Sequence, residues 1–371
     1  MSTQLKRTVR VAGAVCVAVV LAACGSTSSS SSSSTSSAAA SGSSAAADSS
    51  ATVPVDVGTG TPVQLKTGPL KVGIFMNAQS NQWQQNLAAK AKETAESFGW
   101  EATVLDFNFD QQAMSNALQS AASSNSYDAI AVMPIDGQQS CNMLTQTMPE
   151  SNIVVTVGGT TICGRDLETG DEMWAPGTLS YNTVAPSYDY AKLFLESAVE
   201  QFPGPQKVAL VVGPEQNGNT ITMHALVEEL KKTNPEFEIT DFINTDYTTP
   251  TTFTAVQGYL QANPETTVLL SVYSPDLSRG VVQALQAEDL IGKVKVADMG
   301  GAQYSVDQIK AGALQLTMPY YPQTTGANLM KSIKDAQDGK APVRVNDEIP
   351  GGLAEAPVIT SSNVDTFTAQ Y

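Results

Sequence analysis

"LKVGIFMNAQSNQWQQNLAAKAKETAESFGWEATVLDF", residues 70–107, sets a short apolar run, a longer amphipathic run and a second short apolar run end to end. Leu70–Met76 predicts a strand. Asn81–Phe98 predicts a helix, with Leu87, Ala91, Ala95 and Phe98 recurring on one face, and Gly99 supplies its stop. Glu101–Phe107 predicts the next strand. A strand, a helix and a strand in that order make a parallel crossover unit.

The alternation continues on both sides of a long loop. Gln111–Ser123 reads as a helix, and Asp128–Met133 and Ile153–Val157 as strands. Pro186 then suits the first turn of a helix carrying Ala191, Leu195 and Ala198 on one face. Strands follow at Val208–Val212, Phe237–Ile243, Thr267–Val272 and Val294–Ala297, separated by helices at Ile221–Lys232, Phe253–Gln261 and Leu277–Ala287. Two consecutive sets predict an α/β protein of two doubly wound parallel-sheet lobes, and some 300 residues suit two cores better than one.

Open parallel sheets bind ligands outside the carboxyl ends of their strands. The loops there are 77–84, 134–138, 158–161, 213–220, 244–249, 273–276 and 298–303. They are rich in Asn, Gln, Thr, Tyr and Asp and almost free of Lys and Arg. Amides, hydroxyls and aromatic faces suit a neutral polyhydroxylated ligand. Phosphates and carboxylates call for Arg, Lys or clustered backbone N–H groups.

The first 23 residues have a different character. Lys6, Arg7 and Arg10 precede an apolar run from Val11 to Ala23, too short to span a bilayer but proportioned like a secretory signal peptide. The segment Leu21-Ala22-Ala23-Cys24 resembles the bacterial lipobox, which implies cleavage before Cys24 and acyl chains on that residue. Residues 24–67, mostly Ser, Thr and Ala at first, are expected to form a disordered tether to a cell membrane, on its extracytoplasmic face. Loss of the signal leaves 17 basic against 36 acidic residues, a charge of about −19. That charge argues against nucleic acid. Cys141 and Cys163 remain as an even pair in an exported chain, which reads as a disulfide, with two buried thiols as the alternative. His224 is the single histidine, so neither a metal site nor a Ser-His-Asp triad is expected, and no cofactor.

The body also resembles the type I solute-binding proteins of sugar ABC importers, the ribose-binding group. The resemblance is carried by "YSPDLSRGVVQALQAEDLIGKVKVADMGGAQYSVDQIKAGALQLTMPYYPQTTG" (273–326), by the opening stretch, by "VMPIDGQ" (132–138) and by "APVITSSNVDTF" (356–367). It implies three hinge crossings, near Ser180–Asn182, Tyr320–Pro322 and Ile349–Gly351. The first lobe would be 69–181 with 322–349, and the second 182–320 with 350–371. A monomer would close on its ligand and deliver it to an ABC permease in the same membrane. Trp83 falls at the family's cleft aromatic, Asn81 at an asparagine, and Gln84 where another aromatic is frequent.

Several family contacts are displaced. The Asn-Asp after the sixth strand is Tyr273-Ser274-Pro275-Asp276 here. The Gly-Phe-Asp is Ala297-Asp298-Met299, a family arginine falls at Asn219 or Thr220, and no carboxylate follows the fourth strand. Ligand-contact candidates are therefore Asn81, Trp83, Gln84, Asp136, Tyr181, Asn219, Thr220, Tyr247, Tyr273, Asp276, Asp298 and Tyr320. Trp83 reads equally as a core residue above Leu87, Asp136 as a helix cap, and Asp298 as a plain turn residue. The sequence points to a binding protein for a small neutral sugar or polyol, not an enzyme. The alternatives are a module of the same fold for a nucleoside or signalling molecule, or a ligand sensor.

Overall fold

The computed structural model describes residues 51–182, 187–273, 275–349, 352 and 357–371. The signal segment, Cys24, the tether up to residue 50, Pro186, Ser274 and the third crossing at 350–351 lie outside the described residues. No helix among the described residues is long and apolar enough to cross a membrane.

Two six-stranded sheets form the body. The first is built from β3 (Lys71–Met76), β4 (Glu101–Asp106), β5 (Ala129–Val132), β6 (Val154–Gly158), β7 (Ser180–Asn182) and β13 (Val345–Asn346), in the order β13-β7-β6-β5-β3-β4, all parallel. Its crossovers are α1 (Gln82–Ser97), α2 (Gln111–Ser124) and α3 (Gly137–Asn142), the last continuing through a π turn into α4 (Met148–Glu150). The second sheet takes β8 (Gln206–Val212), β9 (Phe237–Asn244), β10 (Val268–Ser271), β11 (Lys295–Gly300), β12 (Leu316–Pro319) and β14 (Ile359–Thr360), in the order β14-β12-β11-β10-β8-β9. Only β14 runs antiparallel. Helices α5 (Tyr188–Gln201), α6 (Gly218–Thr233), α7 (Thr249–Ala262), α8 (Asp276–Ala287) and α9 (Gln303–Lys310) cover it. The central strands β5 and β10 are buried at every residue, as strands covered on both faces must be.

One further helix returns to the first lobe. Helix α10 (Pro322–Gln337) lies against α1 so closely that a Cβ at Gly326 would fall 2.4 Å from the carbonyl oxygen of Leu87. Glycine is what permits that approach. Cys141 and Cys163 are joined by a disulfide with a Cα separation of 4.8 Å, which fastens the loop after β6 to α3.

The folded body begins earlier in the chain than the sequence suggested. Residues 52–66, expected to be disordered, form an antiparallel hairpin of β1 (Thr52–Val55) and β2 (Val63–Lys66). Val55, Val57, Val63 and Leu65 enter the core, all at 3% exposure or less. Gln337 Nε2 donates to the carbonyls of Lys66 (2.9 Å) and Gly68 (2.7 Å), Lys66 pairs with Asp128 at 2.6 Å, and Arg344 pairs with Asp56 at 2.7 Å while lying over the Trp174 ring. The apolar residues at 53, 55 and 57, and again at 63 and 65, alternate as a half-buried strand does. The surrounding Ser, Thr and Gly masked that alternation.

A chain beginning at Gly68 should therefore be less stable than one beginning at Ala51. Each of the four lost side chains contributes ~1.5 kcal/mol or more when buried, offset by the entropy of ordering the segment. The expected net loss is about 2 kcal/mol, read as a lower urea midpoint. Equal midpoints would show that the hairpin is only laid on the surface.

Candidate functional site

The loops after the strands of both lobes meet across a cleft enclosing about 480 Å³, part of it open to solvent. From the first lobe come Asn77, Asn81, Trp83, Gln84, Phe109, Met133, Gly159 and Thr160; from the second come Asn217, Asn219, Tyr247 and Tyr273. None of these side chains carries a charge.

Asn81 organises the first-lobe wall. It is the N-cap of α1, its Oδ1 accepting from the backbone N of Gln84 at 2.9 Å. Gln84 in turn donates from Nε2 to Oδ1 of Asn77 at 3.0 Å. The same Asn81 oxygen also accepts from the Tyr273 hydroxyl at 2.7 Å, so one amide oxygen joins the two lobes. Trp83 lines the cleft and also packs in the core cluster, so both readings of that residue hold together. Its indole nitrogen is buried without a hydrogen-bond partner.

Opposite, Tyr247 lies directly on Gly213, where a Cβ would fall 2.1 Å from the ring carbon that carries the hydroxyl. Its own backbone is left-handed, with φ of 62°. The Tyr247 hydroxyl donates to Oδ1 of Asn217, the N-cap of α6, at 3.2 Å. Its ring stacks on Phe109 of the first lobe at 6.4 Å and meets the edge of Tyr273 at 5.7 Å. Burial raises the pKa of both tyrosines far above the ordinary range, so each hydroxyl stays a neutral donor.

Six candidates from the sequence line this cleft: Asn81, Trp83, Gln84, Asn219, Tyr247 and Tyr273. The other six lie off its lining, each for a local reason. Asp136 caps α3, accepting from the backbone N of Gln139 at 2.9 Å. Tyr181 is buried in β7 with its hydroxyl on the Gly159 carbonyl at 2.7 Å. Thr220 faces inward from α6 with no exposed surface. Asp276 opens α8 and faces Arg279 at 3.9 Å. Tyr320 is spent on the Val272 carbonyl at 3.0 Å.

Asp298 is the most instructive of the six. It stands on β11, a strand covered on both faces, where Asp298 and its neighbour Met299 are both fully buried. Its carboxylate is therefore fully buried inside the second lobe, accepting from Ser278 at 2.6 Å and Ser305 at 2.7 Å. Desolvation pushes its pKa up to about 6, against the hydrogen bonds of Ser278, Thr317 and Ser305, which lower it.

Residues the sequence reading did not select are Asn77, Phe109, Met133, Gly159, Thr160 and Asn217. All except Phe109 and Met133 sit in loops already marked as strand-end loops. Phe109 follows β4 in a turn where Asn108 and Phe109 both have positive φ, and the adjacent asparagine was its only sequence cue. Among the described residues no cluster of His, Cys, Asp and Glu could hold a metal ion.

Two α/β lobes around an uncharged cleft between strand ends define a type I periplasmic binding protein. The periplasmic binding protein domain model matches residues 72–341, and the chain belongs to that family, a family of binding proteins and not of enzymes. Among solved structures, an ABC transporter solute-binding protein of Bacillus halodurans with bound myo-inositol is similar with a TM-score of 0.70 and 18% identity, over 82% of this chain and 99% of that one. One from Mycobacterium smegmatis with bound glycerol gives 0.69 and 20%, over 82% and 98%. The Caulobacter myo-inositol binding protein gives 0.68 and 19%, over 80% and 95%. No curated protein matches this chain.

Asp298 makes stability depend on pH in a definite direction. A carboxyl whose pKa is raised on folding lends stability that is complete below its unfolded value of 3.8 and is lost as pH rises through about 6. The change is at most about 3 kcal/mol, from 1.36 kcal/mol per unit. Urea midpoints should fall between pH 4.5 and 7.5, and Asp298→Asn should flatten that fall. A variant with the wild-type pH profile would remove Asp298 as the cause.

Proposed function

We propose that this chain is the extracytoplasmic solute-binding subunit of an ABC importer and captures a small neutral sugar or polyol between its lobes. The observation that carries the reading is the chemistry of the cleft. Five side-chain amides and four aromatic rings converge there with no charged side chain among them. Amides can both donate to and accept from hydroxyl groups, while the rings cover the apolar faces of a sugar or cyclitol. The similar solved structures carry arabinose, myo-inositol, glycerol and allose, all uncharged and polyhydroxylated.

Closure follows from differential affinity. Asn77, Asn81 and Trp83 engage the ligand from the first lobe, and Asn217, Asn219 and Tyr247 from the second, so a ligand bound to both lobes favours the closed form. Asn81 and Tyr273 add a direct bond between the walls in that form. Cys24, with its acyl chains, would hold the protein to the membrane that contains the permease, and the protein acts as a monomer.

A thermal-shift screen of the chain from Ala51 against sugars, polyols, nucleosides and amino acids tests the reading. A ligand at 100 times its Kd stabilises by ~2.7 kcal/mol, a rise of several degrees in Tm. A response confined to sugars or polyols is expected; a response to nucleosides or amino acids alone would overturn the assignment. With the hit in hand, Trp83→Ala should weaken binding about 10- to 100-fold by calorimetry, from the loss of stacking and burial. Tyr273→Phe should cost about 2- to 10-fold, one neutral hydrogen bond. Unchanged affinity in both variants would place the ligand elsewhere.

A further inference from the structure

One loop begins in the lining of the cleft and reaches, at its far end, from the first lobe to the second. Residues 159–166 follow β6 and are braced at both levels. The disulfide ties Cys163 to Cys141 of α3, and the Cys163 backbone N donates to the Gly137 carbonyl at 3.2 Å. A Cβ at Gly137 would fall 1.9 Å from the Thr161 carbonyl oxygen, so the loop lies flush on the start of α3. Cys163 and Gly164 both have positive φ, and this tight turn delivers Asp166 to the other lobe.

There Asp166 meets the start of α6. Its backbone carbonyl accepts from the Thr222 hydroxyl at 3.1 Å. Its carboxylate accepts from Thr161 at 3.1 Å and stands against Gly218, the first residue of α6, where a Cβ would fall 2.7 Å from Oδ1. A carboxylate beside the amino end of a helix is attracted by the helix dipole. Burial raises the Asp166 pKa, consistent with a carboxyl held out of water. The residues on either side of Gly218, Asn217 and Asn219, line the cleft, as do Gly159 and Thr160 at the start of the loop.

We propose that loop 159–166 is an interlobe latch: Asp166 docks on the first turn of α6, positions Asn217 and Asn219, and raises the fraction of molecules with the cleft closed. The disulfide keeps the latch in its docking shape. Asp166, which lies off the cleft lining, acts on affinity through the population competent to bind. The inference rests on the two-lobed closing reading but not on the identity of the ligand, so a screen without hits would leave it standing.

The test uses the mature chain with no ligand added, measured by hydrogen exchange resolved by peptide and by small-angle X-ray scattering. Asp166→Ala removes the carboxylate from the amino end of α6, Thr222→Val removes the hydroxyl that donates to the Asp166 backbone carbonyl, and the Cys141→Ser/Cys163→Ser pair removes the brace. Each should raise exchange about three- to tenfold at 217–222 and also at 77–84, across the cleft, and should enlarge the radius of gyration. Asp166→Asn, which keeps the Thr161 bond and loses the charge, should fall between. Thr222→Val changes no charge and little volume, and it decides the matter if a variant at 166 folds poorly. Faster exchange confined to 159–166, with 77–84 and the radius of gyration unchanged, would overturn the latch and leave the loop a local brace.

Discussion

A chain of aromatic contacts runs from the cleft to the point where the chain passes between the two sheets at Tyr320. Phe109 of the first lobe stacks on Tyr247, which meets Tyr273, which meets Tyr320, which meets Tyr190, each neighbouring pair 5.7 to 6.4 Å apart. A buried tyrosine must satisfy its hydroxyl, and these do so on groups that fix their direction. Tyr247 uses Asn217, Tyr273 uses Asn81, Tyr320 uses the Val272 carbonyl, and Tyr190 uses the Pro319 carbonyl at 2.6 Å. Val272 lies between β10 and the cleft residue Tyr273, and Pro319 ends β12. Tyr320 is thus in contact with Tyr273, and through it with Asn81 on the opposite wall.

Rings can stack this closely only because the backbone yields where they meet. Gly213 leaves the space that the Tyr247 ring occupies, and Tyr247 and Phe109 themselves take left-handed backbone conformations. Such conformations are uncommon for bulky residues and persist when the surroundings hold them. Phe109 is held by its backbone N, which donates to the Asn77 carbonyl at 2.8 Å, so the loop that presents an amide to the cleft also anchors the neighbouring turn that presents the ring.

The alternation of strands and helices was legible because both sheets are buried on two faces, which forces continuous apolar runs such as Ala129–Val132 and Val268–Ser271. The position of the cleft followed from that alternation, since parallel sheets expose their loops at one end. Individual contacts were less legible. Asp298 is a carboxylate at a strand end near the cleft in sequence, yet β11 is covered on both faces and holds it in the core. Tyr320 and Tyr181 carry the right chemistry but give their hydroxyls to backbone carbonyls, a choice that depends on which strand ends lie beside them. Phe109 was hidden by a turn whose unusual dihedrals leave little trace in composition. The hairpin at 52–66 was hidden for the opposite reason, because a short valine alternation stood inside a polar region.

Charge bears on the proposed ligand class at the scale of the whole chain as well as of the cleft. The whole chain carries a formal charge of −16, so the field around it opposes anions at every approach, and the cleft has no cation with which to recover that cost. A cation would be drawn toward the protein by the same field. Inside the cleft it would find amide oxygens and ring faces but no carboxylate, and Asp298, Asp136 and Asp276 are each committed away from the lining. It would give up hydration without gaining a charged partner. On the proposed reading, an uncharged solute would enter without that electrostatic penalty, and the five amides would offer partners to its hydroxyls. With its carboxylate buried inside the second lobe, Asp298 adds no charge to the cleft lining.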